Sequence, residues 1–376
     1  MRNCTELLVV LESKFNEEFV FLQDIIKKVD NNGDRMFFVG FRNGYLDLYY
    51  RGMRVFDLKI ENDTTEYTTD IYYLKGSGIT KSTFSFNQMK TVLPNILRQI
   101  EKHVSGNHDG KKRREKVCQQ WLINKTNQNM NDWYYLDMEY IDDGIQCGRF
   151  DLVAIKRKPD NYGKHEVALI ELKVKKSAYG GLGNDDYNKN REKYIKLKEN
   201  LFNPDPEIHD LKLGSGLVSH IADFLRYLKN TNSYKNQLRQ ELVNMIDSNL
   251  KLGVLNETDC LSKVSIDALK DVPSIYIVSY TYALTLDDGT KNTVKSMKTS
   301  AFNYLYKSKF SLKNMINEKQ IESILDKEND FKNFIKGEDN YFNMTINIDG
   351  NEYPLIFGFV DPDHLKSKNQ PWICLQ

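Results

Sequence analysis

Apolar residues recur at helical spacing through TELLVVLESKFNEEFVFLQDIIKKV, residues 5–29, until the breaker Asn31-Asn32-Gly33. The next stretch, 36–60, changes period. MFFVGFRNGYLDLYYRGMRVFDLKI reads as a series of strands, with turn signals at Asn43-Gly44 and Arg51-Gly52. A second helix is predicted through FNQMKTVLPNILRQIEKHV, residues 86–104, interrupted or started by Pro94. The polar, basic run SGNHDGKKRREK then leads into a helix around 112–126. Lys111 to Arg114 read either as a solvated helix face or as a phosphate-contacting patch.

Three strand-like segments follow: WYYLDMEYID, GRFDLVAIKRK and HEVALIELKVKK. They end at the turns DDG and PDNYG and at the glycine-rich AYGGLGND. Helical patterns come next at 185–201, 212–230 and 237–255, and then a buried strand, VPSIYIVSYTY. The last part carries one helical stretch near 313–335 and a closing hairpin, NMTINIDGNEYPLIFGFV, turning at Asp349-Gly350. The predicted organisation is an N-terminal mixed α/β domain over 1–105, a central domain over 106–300 and a C-terminal extension over 301–376. The fold class is α/β (α+β), with a central mixed β-sheet flanked by helices.

With 376 residues, two or three folding units are expected. Lys and Arg number 53 against 52 Asp and Glu, so bulk charge draws no polyanion, and a nucleic acid would need local basic patches. The five cysteines are scattered, which argues against a disulfide framework and a cysteine-rich zinc site. A reducing cytoplasm is the expected location. The run Leu7–Leu11 is too short for a signal-peptide core, and nothing approaches the roughly 18 apolar residues of a membrane helix. Neither a phosphate-binding Gly-x-x-x-x-Gly-Lys loop nor a serine or cysteine elbow is present.

The candidate chemistry lies in VALIELKVKK, residues 167–176. Glu171 and Lys173 share one face of an otherwise apolar strand. They form an active site, an exposed sheet face or a buried ion pair. The preceding strand carries Asp151, twenty positions back, behind a short turn. In an antiparallel hairpin Asp151 comes beside Glu171. Two converging carboxylates suit Mg²⁺, a hard cation taking oxygen ligands, and the backbone carbonyl of Leu172 adds a third. Metal-assisted phosphodiester hydrolysis follows, with Lys173 positioning or deprotonating the water, or neutralising charge on the phosphorus centre.

Asp151 followed by Glu171-Leu172-Lys173 resembles the PD-(D/E)XK, or restriction-endonuclease-like, nuclease superfamily. That resemblance covers roughly residues 108–285. It implies a helix, three-strand, helix, strand core, with Asp151 and Glu171 as metal ligands and Lys173 as the catalytic lysine. It also implies a further acid on the first core helix, for which Glu115 and the strand residue Glu139 compete. Phe150 stands where the pattern has its nominal proline, and the literal Pro159-Asp160 reads as turn chemistry. The letters Glu12-Ser13-Lys14 also fit E-x-K but read as helix surface.

On the following helix, Leu217, Val218, Ile221, Phe224, Leu225 and Leu228 form the apolar face. Ser219, His220 and Asp223 lie opposite. His220 is a candidate contact to the scissile phosphate, against a solvated face as the plain alternative. Ser215 is the expected N-cap, and Gly214 and Gly216 would let a phosphate approach. AYGGLGND is a gating loop or a connector, Lys175 and Lys176 are candidate backbone contacts, and Tyr179 a candidate base-stacking residue. His165 and His209 read as surface residues.

The expected activity is Mg²⁺-dependent, with Mn²⁺ as a substitute, on nucleic acid, DNA favoured over RNA, in defence or restriction. The resemblance implies a homodimer for double-strand cutting and a protein partner or small-molecule activator. Two rivals stand beside it. One is a non-catalytic nucleic-acid-binding or structural subunit. The other is an interaction protein whose N-terminal tyrosines and Arg42, Arg51 and Arg54 line a binding surface, with core and rim packing as the plain alternative for these residues.

Overall fold

The computed structural model describes residues 4–105, 114–128, 132–141, 148–174, 176–180, 216–229, 233–280, 293–308, 311–315, 324, 326–348 and 350–360. In chain order the longer described helices are α1 (Thr5–Lys14), α2 (Asn16–Ile26), α3 (Phe86–Ser105), α4 (Arg114–Gln128), α5 (Leu217–Lys229), α6 (Arg239–Lys251), α7 (Val294–Phe302) and α8 (Glu328–Lys336). The strands are β1 (Phe37–Phe41), β2 (Tyr45–Tyr50), β3 (Met53–Glu61), β4 (Thr64–Thr68), β5 (Thr83–Phe84), β6 (Trp133–Ile141), β7 (Arg149–Lys156), β8 (Val167–Lys173), β9 (Ser274–Tyr280), β10 (Tyr341–Ile348) and β11 (Asn351–Val360). They form two sheets, ordered β1-β2-β3-β4-β5 and β10-β11-β9-β8-β7-β6, flanked by helices, so the protein is mixed α/β of the α+β class.

The chain divides into two compact units. One comprises Met1–Met138, Ile155–His165 and Gln237–Leu269; the other comprises Glu139–Ala154, Glu166–Asn236 and Lys270–Gln376. These bounds differ from divisions at 105 and 300, because each unit is assembled from several chain segments.

In the first unit the sheet is antiparallel throughout. The β2–β3 turn falls at Arg51-Gly52, with φ of 51° and 74°, and pairs Tyr50 with Met53. Positive φ at both central residues is what a tight hairpin turn needs, and the glycine supplies the second one freely. Helix α3 runs unbroken through Pro94. Its apolar stripe of Phe86, Met89, Val92, Leu93, Ile96 and Ile100 is buried at three- and four-residue spacing, and that packing outweighs the one hydrogen bond proline removes. The helix begins instead at Phe86, where Gln88 Oε1 accepts from Ser85 N. Arg42 is not a surface residue. Its guanidinium is buried against Asp47 (2.9 Å) and Asp137 (2.8 Å), which satisfy a charge that could not otherwise be buried. Arg51 pairs with Glu101, and Arg54 lies near Asp47 and Asp57.

In the second unit, β8 and β9 pair in parallel, β9 and β11 in parallel, and β10 and β11 antiparallel. The terminal hairpin, read from sequence as part of an extension, therefore shares a sheet with β8. The helical stretch expected over 313–335 appears as a single turn, Leu312–Met315, and as α8, with 316–323 outside the described residues. No described helix is long and apolar enough to cross a membrane. The readings placed on Lys111, Lys112, Arg113, Lys175, 181–201, His209, Gly214 and Ser215 also fall outside the described residues.

Candidate metal centre

Strand β8 is buried along its whole length, including Glu171 and Lys173, whose side chains are 5% and 3% exposed. An exposed sheet face is thereby ruled out for this pair. Period-two alternation places both side chains on one side, where Lys173 Nζ donates to Glu171 Oε1. Helix α5 brings a third group. Its apolar stripe Leu217, Val218, Ile221, Phe224 and Leu225 is buried. His220 is thereby held with Nε2 3.1 Å from that same Glu171 oxygen. Its side chain is 24% exposed and neighbouring Ser219 is buried, so this side of α5 is not a plain solvated face.

Asp151 sits half-buried on β7, and its Oδ2 accepts from Leu172 N at 2.7 Å. The N–H and C=O of one strand residue point to the same side, so the Leu172 carbonyl also faces the Asp151 side of β8. Phe150, in the nominal proline position, is buried beside Tyr140 and makes edge contacts with Phe224 and Tyr227 at 4.9 and 5.0 Å. It ties the strand bearing Asp151 to the helix bearing His220. Within the second unit, carboxylate oxygens of Asp151 and Glu171 lie within 4.8 Å of one another. Glu115 stands in the first turn of α4. Glu139, half-buried in β6 with φ of 57°, does not belong to this group.

Asp223, three residues after His220, has a role that its place on a polar helix side did not disclose. Desolvation raises its carboxyl to about 6; the charge of Glu171 adds to the rise, and Arg226 and Arg149 oppose it. A carboxyl with a raised folded pKa binds more protons folded than unfolded. Its ionisation therefore destabilises the fold progressively as pH rises from the unfolded value of 3.8 through about 6. In chelator, the stability of Asp223→Asn relative to the parent should thus increase across that window and level off above it. Denaturant melts at a series of pH values check this; a difference that stays flat would contradict it.

Other sequence candidates fall elsewhere. Tyr179 is fully buried, its hydroxyl bonded to Ser279 Oγ, so it presents no ring for stacking. His165 is buried rather than superficial, with Nδ1 2.9 Å from the Lys156 carbonyl. Asp160 accepts from Tyr162 N and Lys164 N, which is turn chemistry. Ser13 bonds back to Val9 O, and Lys14 and Glu12 make exposed ion pairs, as a helix surface would. Comparisons with protein-family models, curated proteins and solved structures find no match to this chain.

Proposed function

We propose that this protein is a Mg²⁺-dependent nuclease with a restriction-endonuclease-like core, acting on DNA in preference to RNA. The observation that carries the reading is the convergence of Asp151 and Glu171 carboxylate oxygens within 4.8 Å, next to the buried ammonium of Lys173. The donors fit the ion. Two oxygens on one Mg²⁺ stand at most about 4.2 Å apart, twice the ligand distance, so carboxylate oxygens within 4.8 Å of one another are in reach of one shared cation. All-oxygen ligands suit a hard cation, and two unneutralised carboxylates would repel one another.

When bound, the cation lowers the pKa of coordinated water and offsets charge on the phosphate. The chain's own groups do the rest. Asp151 is aimed by the Leu172 N–H. Glu171 is shared by Lys173 and His220, so a ligand drawing on Glu171 frees the Lys173 ammonium to face the phosphate oxygens. In hydrolysis a water oxygen bonds to phosphorus, the bond to the leaving oxygen breaks, and one water proton ends on that oxygen. His220, partly exposed at the same carboxylate, is placed to contact the scissile phosphate.

The burial of Glu171 and Lys173 equally suits a structural ion pair, and one assay separates the two readings. Plasmid, linear single-stranded DNA and RNA are incubated with Mg²⁺, Mn²⁺ or chelator. Cleavage is expected with either metal and none with chelator. Asp151→Ala should lower the rate at least about 100-fold, the scale of removing one preorganised group. Equal cleavage by Asp151→Ala would remove the assigned site, and no cleavage by the parent would leave the structural pair.

A further inference from the structure

Away from the acidic group, the second unit gathers three lysines on one carboxylate. Glu328, at the start of α8, has Lys307 and Lys332 Nζ 3.3 and 3.1 Å from Oε1 and Lys313 Nζ 3.0 Å from Oε2. The lysines come from three places: the helical turn Asn303–Lys307 after α7, the turn Leu312–Met315, and α8 itself. Their side chains are 56%, 37% and 42% exposed, whereas Glu328 is 14% exposed. Phe302 lies under two of them, with the ammoniums of Lys307 and Lys332 5.9 and 6.0 Å from its ring centre.

One carboxylate among three ammoniums leaves an excess of two positive charges. Protonation does not change that balance, because the lysines hold Glu328 down to about 2. A half-exposed ion pair contributes at most about 1 kcal/mol, so stability gives little reason to gather three cations on one anion. Among the described residues of 293–336 there are seven lysines and three acids, in a chain whose totals balance to +1. The turn bearing Lys307 packs against α5, the His220 helix, and α7 packs against the Lys176–Tyr179 turn that follows β8.

We propose that Lys307, Lys313 and Lys332, spread by Glu328, form an anchoring site for a backbone phosphate of the nucleic acid. That the anion is a polynucleotide rests on the nuclease reading; the charge deficit does not. Sequence-independent phosphate contacts position a duplex or strand without reading it, and three lysines around a short acid suit that role.

Salt-dependent binding tests it. Fluorescent single- and double-stranded oligonucleotides are titrated with the full-length protein in Ca²⁺, and the slope of log affinity against log salt is measured. The triple variant K307Q/K313Q/K332Q should reduce the slope by about 0.7–0.9, the value of one lost phosphate contact, and weaken binding at least 10-fold. Glu328→Gln, which removes the internal competitor, should tighten binding several-fold. A purely structural network predicts the opposite: an unchanged slope in the triple variant and no gain in Glu328→Gln. Either result overturns the proposal, and Glu328→Gln decides it if the triple variant fails to fold. Cleavage is scored separately. A parent that binds as expected without cutting removes the nuclease reading alone; one that cuts with an unchanged variant slope removes this site alone.

Discussion

Lys173→Met should lower the Mg²⁺-dependent cleavage rate about 1000-fold, the upper scale for losing a preorganised charge-stabilising group. In chelator it should also destabilise the fold by about 3–5 kcal/mol, the cost of breaking a buried pair from one side. Both effects come from one contact. Lys173 and Glu171 are buried, and Lys173 Nζ donates to Glu171 Oε1. Methionine keeps the volume and removes the ammonium, leaving Glu171 with His220 at 3.1 Å as the partner still in reach. Mg²⁺ should then stabilise the variant more than the parent, since a cation at Glu171 replaces the missing positive charge and no longer competes with Lys173. The double variant K173M/E171Q removes both charges. It should recover much of the stability and none of the activity, because replacing both members of a buried pair is often neutral. Paired denaturant melts with and without Mg²⁺, beside plasmid cleavage, read all of this. Cleavage by Lys173→Met at the parent's rate would remove Lys173 from the chemistry. A double variant as unstable as the single would show that the pair is not the source of the cost.

Strand β8 was legible in the sequence because its apolar run is bounded by turn chemistry, and α5 because its stripe repeats every three and four residues. Alternation also put Glu171 and Lys173 on one side. It could not tell whether that side was covered, because cover comes from α5, about fifty residues later in the chain. The pairing of β11 with β9 was hidden for a related reason. A hairpin's turn reveals its own two strands, whereas a parallel neighbour is chosen by sheet packing far along the chain. Helix α7 escaped notice because its buried set, Met297, Lys298, Ala301 and Phe302, is interrupted by serines and threonines and includes a lysine. That lysine is buried because its ammonium donates to the Phe334 and Gly337 carbonyls at 3.3 and 3.1 Å and also to that of Asp339. For Arg42 core packing stands open in the sequence beside a surface role, and what decides it is a pair of carboxylates, Asp47 five residues on and Asp137 far along the chain.

Gly52→Ala should destabilise the first unit by roughly 2–5 kcal/mol, combining left-handed backbone strain with overpacking. Gly52 has φ of 74°, which an L-residue adopts at a cost. A Cβ there would also fall inside the contact radius of the Lys116 carbonyl and 2.6 Å from Val117 N in α4. Those are backbone atoms, so no side chain can turn aside. The turn and the helix are further joined by hydrogen bonds. Gly52 N donates to Gln120 Oε1, and Gln120 Nε2 reaches the Met36 carbonyl at 3.0 Å. Gly44 is the control, with φ of 76° but nothing within 4 Å of an added Cβ. Gly44→Ala should therefore cost only the strain, about 1–2 kcal/mol. The difference between the two melts isolates the contact with α4, and equal losses would mean that the contact contributes nothing.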